Sequence, residues 1–291
     1  MNQLENILIA TDFSPCANTA LVQAVRLSKL NQAQLHIIHA IDGGMIFELA
    51  ETLELSLSET RSHLVHSARQ EIDSLLKPHE IEAKIEIQVG TQIEQVVTHA
   101  RRVKADLLIV GEHSEMTDNA PAGILATRCL RKGPSKVLLV DKNTKGPFSR
   151  VLACIDFSDN SETVIKQTER IALQNKSQIR LLHVYDFPWN KMRSARNLPR
   201  PTEKQQTHYI EKQKTRLEQL AAEHSPLPVD CQVISHQKAG QGISMVAKEW
   251  QADLIVVGKK GYSSWTQMML GSTAESLVRE PNCSLLAVTP S

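Results

Sequence analysis

Four blocks of this 291-residue chain occur twice, in the same order. Ile7-Leu8-Ile9-Ala10-Thr11-Asp12-Phe13-Ser14 stands near the start, and Val151-Leu152-Ala153-Cys154-Ile155-Asp156-Phe157-Ser158 near the middle. A second apolar run closes on Asp42 in one copy (Leu35 to Asp42) and on Asp186 in the other (Ile179 to Asp186). Ala105-Asp106-Leu107-Leu108-Ile109-Val110-Gly111 returns as Ala252-Asp253-Leu254-Ile255-Val256-Val257-Gly258. Pro134 or Pro281 then precedes a last apolar run, Val137 to Val140 or Ser284 to Val288. Duplication on this scale narrows the choice of fold, because whatever one half builds the other builds again. The junction from Asp141 to Pro147 is polar and carries a Gly-Pro pair, which suits a linker. Domains are therefore expected at residues 1–142 and 148–291.

Within each half, short unbroken apolar runs alternate with helical patterns. Thr19 to Leu30 sets Ala20, Leu21, Ala24, Val25, Leu27 and Leu30 on one broad face, as an amphipathic helix requires. Glu162 to Leu173 repeats this with Val164, Ile165, Ile171 and Leu173, and Ser58 to Leu76 and Pro201 to Leu220 read as longer helices. Strands of this kind separated by helices indicate an α/β fold with a parallel sheet covered on both faces. Ligands of such sheets sit beyond the carboxyl ends of the strands, which is where Asp156, Asp186 and Gly258 fall.

Composition removes several function classes. The net charge is +1 with 22% charged residues, so nothing favours nucleic acid or an anionic membrane. No apolar run approaches the ~20 residues of a spanning helix. The N-terminus lacks a basic region ahead of Ile7-Leu8-Ile9-Ala10, so a cytoplasmic address is expected. The five cysteines include no C-x-x-C pair, which argues against a disulfide framework or a zinc knuckle. His63 and His66 sit three apart on a helical pattern, and His36 and His39 point to opposite faces of a strand. Neither pair is completed into a metal site by sequence. His39 and His183 match between the halves, which favours a structural role.

The feature richest in chemistry follows Leu254-Ile255-Val256-Val257. It runs Gly258-Lys259-Lys260-Gly261 and, after nine residues, Gly271-Ser272-Thr273. An apolar strand ending in glycine, followed by more glycines and hydroxyls, brings backbone amides up to a phosphate. Glycine permits close approach of the main chain, and Ser272 and Thr273 add donors at a predicted helix start.

On these residues the chain resembles the universal stress protein family in its tandem form. The likeness rests on the strand-Asp opening, His183-Val184-Tyr185-Asp186, the Ala252 to Gly258 strand and the G-x2-G-x9-G-S loop, and it covers nearly the whole chain. The resemblance implies two Rossmann-like five-stranded parallel sheets of order 3-2-1-4-5. It also implies edge-to-edge pairing of Val137 to Val140 with Ser284 to Val288, an intramolecular pseudo-dimer, and a possible homodimer of tandem chains with protein partners that stay unnamed. For the second copy it implies an ATP site, with Mg²⁺. Ile155 and Asp156 would lie beside the adenosine, the Val184 backbone would meet the adenine edge, and Val257-Gly258 would lie under the ribose. Gly261, Gly271, Ser272 and Thr273 would wrap the phosphates.

The first copy departs from this pattern. Gly111 remains, but Ser114, Ile124 and Leu125 stand where the second copy has Gly261, Gly271 and Ser272. Asp12 persists, although an Asp at a strand end also serves as a helix cap. One nucleotide site per chain is expected, in the second half. Lys259 and Lys260 either screen phosphate or are simply solvated. Trp265 to Leu270 either folds over the nucleotide or packs on protein. Trp189 to Arg200 reads as a basic loop near the site mouth. No hydrolase elbow and no G-x-x-x-x-G-K-[ST] loop is present, and no catalytic residue is assigned. Two readings stand: an ATP-binding stress sensor or switch with at most slow hydrolysis, or a non-nucleotide small-ligand carrier or scaffold of the same fold.

Overall fold

The computed structural model describes residues 4–112, 124–134, 136–144, 146–191, 201–259, 270–280 and 282–289. The chain divides into two compact units, Met1–Thr144 and Lys145–Ser291.

The first unit runs β1 (Asn6–Thr11), α1 (Pro15–Asn31), β2 (Gln34–Ile41), α2 (Gly43–Thr52), α3 (Leu57–Leu76), β3 (Ala83–Val89), α4 (Gln92–Arg102), β4 (Leu107–Gly111), α5 (Ile124–Lys132) and β5 (Lys136–Val140). Its strands lie in the order β3-β2-β1-β4-β5, and each pairing within the unit is parallel. The second unit runs β6 (Arg150–Cys154), α6 (Ser161–Asn175), β7 (Gln178–Tyr185), α7 (Pro188–Lys191), α8 (Glu203–His224), β8 (Asp230–Ser235), α9 (Ala239–Trp250), β9 (Leu254–Gly258), α10 (Ser272–Arg279) and β10 (Ser284–Val288). Its order, β8-β7-β6-β9-β10, is the same 3-2-1-4-5 topology.

The duplicated sequence produces duplicated register. Ile7 lies opposite both Leu35 and Leu107, and Val151 opposite both Ile179 and Leu254. The central strands are buried on both faces: Ile7, Leu8 and Ile9 in one unit and Val151, Leu152 and Ala153 in the other are fully covered. Burial of each isoleucine, leucine or valine side chain among them is worth about 1.5–3 kcal/mol. On α1, Ala20, Leu21, Ala24, Val25 and Leu27 are buried, whereas Leu30 is exposed. On α6, Val164 and Ile165 are buried and Leu173 is exposed. Both exposed leucines sit at the edge of their helix's apolar arc, because in the same last turns it is Asn31 and Ala172 that are buried.

One device recurs at the start of each central strand. The carboxylate of Asp106 accepts from the amides of Glu5 and Asn6 at 2.8 and 2.9 Å. Asp253 accepts from the amides of Ser149 and Arg150 at 2.7 and 3.1 Å. The aspartate ahead of the β4 or β9 strand thus clamps the first turn-in of its neighbour. Burial pushes the Asp253 carboxyl above its usual range, and the strand amides pull it back.

Candidate functional site at the carboxyl edge of the second unit

The Asp-Phe-Ser motif makes a sharp corner where β6 leaves the sheet. Phe157 adopts φ 59°, in the left-handed region that a bulky residue enters only under constraint. Its ring is held from two sides. His183 lies tilted against it at 4.4 Å between ring centroids, and the Arg216 guanidinium lies 4.0 Å above the ring. His183 in turn donates from Nδ1 to the Ile155 carbonyl at 2.7 Å. Burial lowers the His183 pKa, and so does the nearby Arg216, while the Ile155 bond and Asp156 oppose them. The result is a neutral ring that anchors the corner. The same construction stands in the first unit: Phe13 has φ 65°, lies 4.5 Å from His39, and His39 bonds the Thr11 carbonyl at 2.9 Å.

This corner leaves Asp156 exposed at the sheet edge. Its Oδ1 accepts from the Ser158 amide at 3.0 Å and the Ser158 hydroxyl at 2.6 Å. In the first unit the serine acts differently. Ser14, and not Asp12, is the N-cap of α1, its hydroxyl accepting from the Ala17 amide at 3.1 Å. Asp12 only receives the Ser14 amide, at 3.0 Å. The second unit's serine is turned toward its aspartate, and α6 begins at Ser161 behind Asn160, which makes no side-chain cap bond.

Val184 lies where β7 outruns its neighbour. The β6–β7 register ends at Cys154 opposite Leu182, with the Ile155 amide donating to the Leu182 carbonyl at 2.9 Å. The Tyr185 carbonyl accepts from His236, on the β8 side. Main-chain groups alternate sides along a parallel strand, so Val184 presents its amide and carbonyl to the side that β6 has vacated. Its side chain packs toward α9, since a Cβ on Gly242 would lie 3.0 Å from Val184 Cγ1.

β9 supplies the third wall. Val257 is buried and pairs with Ala287, and Gly258 pairs with Val288. The Lys259 amide extends this ladder, donating to the Val288 carbonyl at 2.7 Å, and the Lys259 carbonyl accepts from the Gly271 amide at 2.9 Å. The two ends of the glycine loop are therefore fastened together at its base. Gly261 and Trp265 to Met269 lie outside the described residues, as do Lys260 and most of the basic stretch before Arg200. Leu270 is buried, and so is Lys259, which is thus not one of a pair of solvated surface lysines.

Gly271 is the N-cap of α10 at φ −61°, ψ 143°, with no side-chain cap bond. Its conformation is open to any residue, so the glycine is not there for a left-handed turn. Ser272 and Thr273 open α10, whose first amides point out of the helix with a partial positive charge. The helix is seated by a residue that sequence reasoning passed over. A Cβ on Gly240 of α9 would fall 2.5 Å from Ser276 Cβ and 3.5 Å from the Thr273 carbonyl. Its only sequence signal is a glycine inside an amphipathic helical pattern. Ile155, Asp156, Val184, Val257, Gly258, Gly271, Ser272 and Thr273 thus converge on the carboxyl ends of β6, β7 and β9 and the amino end of α10.

The matching edge of the first unit is built from other chemistry. A Cβ on Gly111 would lie 3.0 Å from the Cys16 carbonyl carbon and the Ala17 amide. Close packing of β4 on α1 accounts for that glycine without a ligand. Next in sequence, where the second unit has Lys259, stands buried Glu112. Its carboxyl is pushed up to about 8 by burial and by the neighbouring Asp141 carboxyl. The signal for this pair was the residue after each strand glycine, read across the two copies. Among the described residues no cluster of three or more His, Cys, Asp or Glu is placed to hold a metal. No helix among them is long and apolar enough to cross a membrane. Burial pushes the Cys154 thiol up, reinforced by Cys283 and Asp156, in a residue that is itself only half-buried.

The model of the universal stress protein family matches residues 3–141 and again 147–289. The chain belongs to the universal stress protein family. It is the tandem form, two family domains in one polypeptide. A universal stress protein E homolog of Haemophilus influenzae is 25% identical to it over 317 residues, covering 99% of this chain and 98% of that protein. A Synechocystis universal stress protein, Sll1388, is 24% identical over 155 residues, 48% of this chain but 97% of its own length. One half of the tandem universal stress protein thus corresponds to an entire relative. A crystal structure of a universal stress protein from Archaeoglobus fulgidus superposes with TM-score 0.67 at 16% identity, over 100% of both chains. At that identity the likeness speaks to the fold.

Proposed function

We propose that the second domain, residues 148–291, binds ATP at the edge formed by β6, β7, β9 and α10, and that residues 1–142 form a domain without this site. The observation that carries the reading is the α10 terminus. A helix start capped only by glycine stands beside strand ends that leave a main-chain edge at Val184. The donor set fits a nucleotide triphosphate. Main-chain amides and hydroxyls at Ser272 and Thr273 suit phosphate oxygens, with Gly261 and Gly271 allowing the loop to approach. The Val184 amide and carbonyl suit an adenine edge, Ile155 and Asp156 would lie beside the adenosine, and Gly258, after Val257, would lie under the ribose. Mg²⁺ would enter on the phosphate oxygens, as it usually does, and would neutralise their charge.

The output of such a site is a change of state. Asp156 is engaged by Ser158, and His183 is held neutral against Ile155. No general base is assigned in this pattern, and on this reading hydrolysis is at most slow. ATP at this site would act as a stress-response switch, with binding rather than turnover as the output.

A ligand selective for the native state raises its melting temperature. ATP with Mg²⁺ should raise that of the full chain, and Gly271→Ile should abolish the rise. Isoleucine is the first domain's own residue at this position and accepts the observed backbone angles. An undiminished rise in the variant would reject the site. A different mass retained in native mass spectra, with no response to ATP, would favour a small-ligand carrier.

A further inference from the structure

The second unit folds its aromatic side chains inward at the place where the first unit turns apolar side chains outward. After β7, Tyr185, Phe187, Trp189 and Tyr209 form one contact cluster, with Trp189 stacked on Phe187 at 4.5 Å. After β2 the matching positions are Gly43 and Met45, and the apolar residues beyond them are solvent-facing. Phe47 is 61% exposed, Leu53 58%, Leu55 38% and Leu57 53%. These four make up half of the large apolar side chains exposed among the described residues. Concentration of this kind marks an interaction surface, whereas scattered exposed leucines do not.

Charge along this corner is segregated. The ridge at the end of α2 and the turn after it interleaves Phe47, Leu53 and Leu55 with exposed Glu48, Glu51 and Glu54. Immediately beyond it, a groove of about 740 Å³ runs between α3 and β3. Its apolar floor is Leu57, Val65 and Ile87, its charged lining is Arg61 and Arg69, and His66 also lines it, with no carboxylate. Arg69 also meets Asp73 on its own helix at 3.5 Å. An acidic apolar ridge next to a basic apolar groove on one surface is self-complementary, which is the condition for a two-fold interface between identical chains.

We propose that the α2–α3 corner of the first unit docks a second copy of this chain, the ridge of each copy entering the groove of the other. The apolar residues supply the attraction and the opposed charges set the register.

The test is sedimentation of the full-length protein across the micromolar range, with circular dichroism and thermal melting to confirm that each variant folds. The wild type should form a reversible dimer. Leu53→Asp should weaken it about ten-fold or more in dissociation constant. Glu54→Arg and Arg61→Glu, each alone, place like charges at both symmetric contacts and should give monomers. An equimolar mixture of these two variants restores opposite charges at both contacts and should dimerise. A wild-type chain that stays monomeric throughout overturns the proposal, as does a dimer indifferent to both reversals. A monomer that carries a co-purified amphipathic anion in native mass spectra, displaced by Arg61→Glu, overturns it in favour of a small ligand.

Discussion

The amide of Gly271 donates to the carbonyl of Lys259 at 2.9 Å, and this bond fixes where α10 starts relative to the end of β9. The Gly271 N–H is therefore engaged within the protein. In the proposed site, phosphate contacts at this helix start would come from the amides and hydroxyls of Ser272 and Thr273.

The seat of α10 is set by Gly240. A methyl group there meets Ser276 Cβ at 2.5 Å, closer than any relaxed contact, so α9 and α10 must separate. We expect Gly240→Ala to cost about 1–3 kcal/mol, as overpacking of a core contact does. It should also shrink the ATP-induced rise in melting temperature. Paired melts with and without nucleotide check both effects, and an unaltered response would place α10 outside the site.

Asp106 and Asp253 each accept two amides at the start of a central strand. Replacement by alanine leaves those amides without their acceptor. The expected cost is about 1–3 kcal/mol for each variant, read from urea unfolding of Asp106→Ala and Asp253→Ala. Wild-type stability in either would mean that water takes over the aspartate's role.

Glu112 ties stability to pH. Its folded carboxyl holds a proton up to about 8, well above the usual carboxylate range, through burial and the adjacent Asp141. The native state therefore binds more protons than the unfolded chain between the ordinary glutamate range and about 8, and stability falls as pH rises through that window. Glu112→Gln mimics the protonated form. Its melting temperature should vary less with pH over this range and exceed that of the wild type at the alkaline end. Parallel pH profiles that differ only by a constant would refute the assignment.

Much of the architecture was legible because the chain repeats itself. Each apolar run that recurred became a strand, and the strand order followed from the family resemblance. The ends of helices were less legible. Leu30 and Leu173 continue an apolar period but sit at the edge of the arc on which Asn31 and Ala172 are buried, and periodicity does not encode how wide an arc a neighbour covers. The role of Ser14 as the α1 cap was hidden by its likeness to Ser158, since one motif makes two different bond sets. At the site, glycines and hydroxyls were readable from spacing, and Val184 was named through the family resemblance. Gly240, Glu112 and the burial of Lys259 depend on which elements meet in space, which one strand of sequence does not record.

Titration calorimetry of Mg²⁺-ATP into the full chain, alongside Gly271→Ile, asks most directly whether nucleotide sits in the second domain alone. We expect one molecule of ATP per chain for the wild type and no binding heat for the variant. Two molecules per chain, none, or binding that survives Gly271→Ile would contradict a single site at α10.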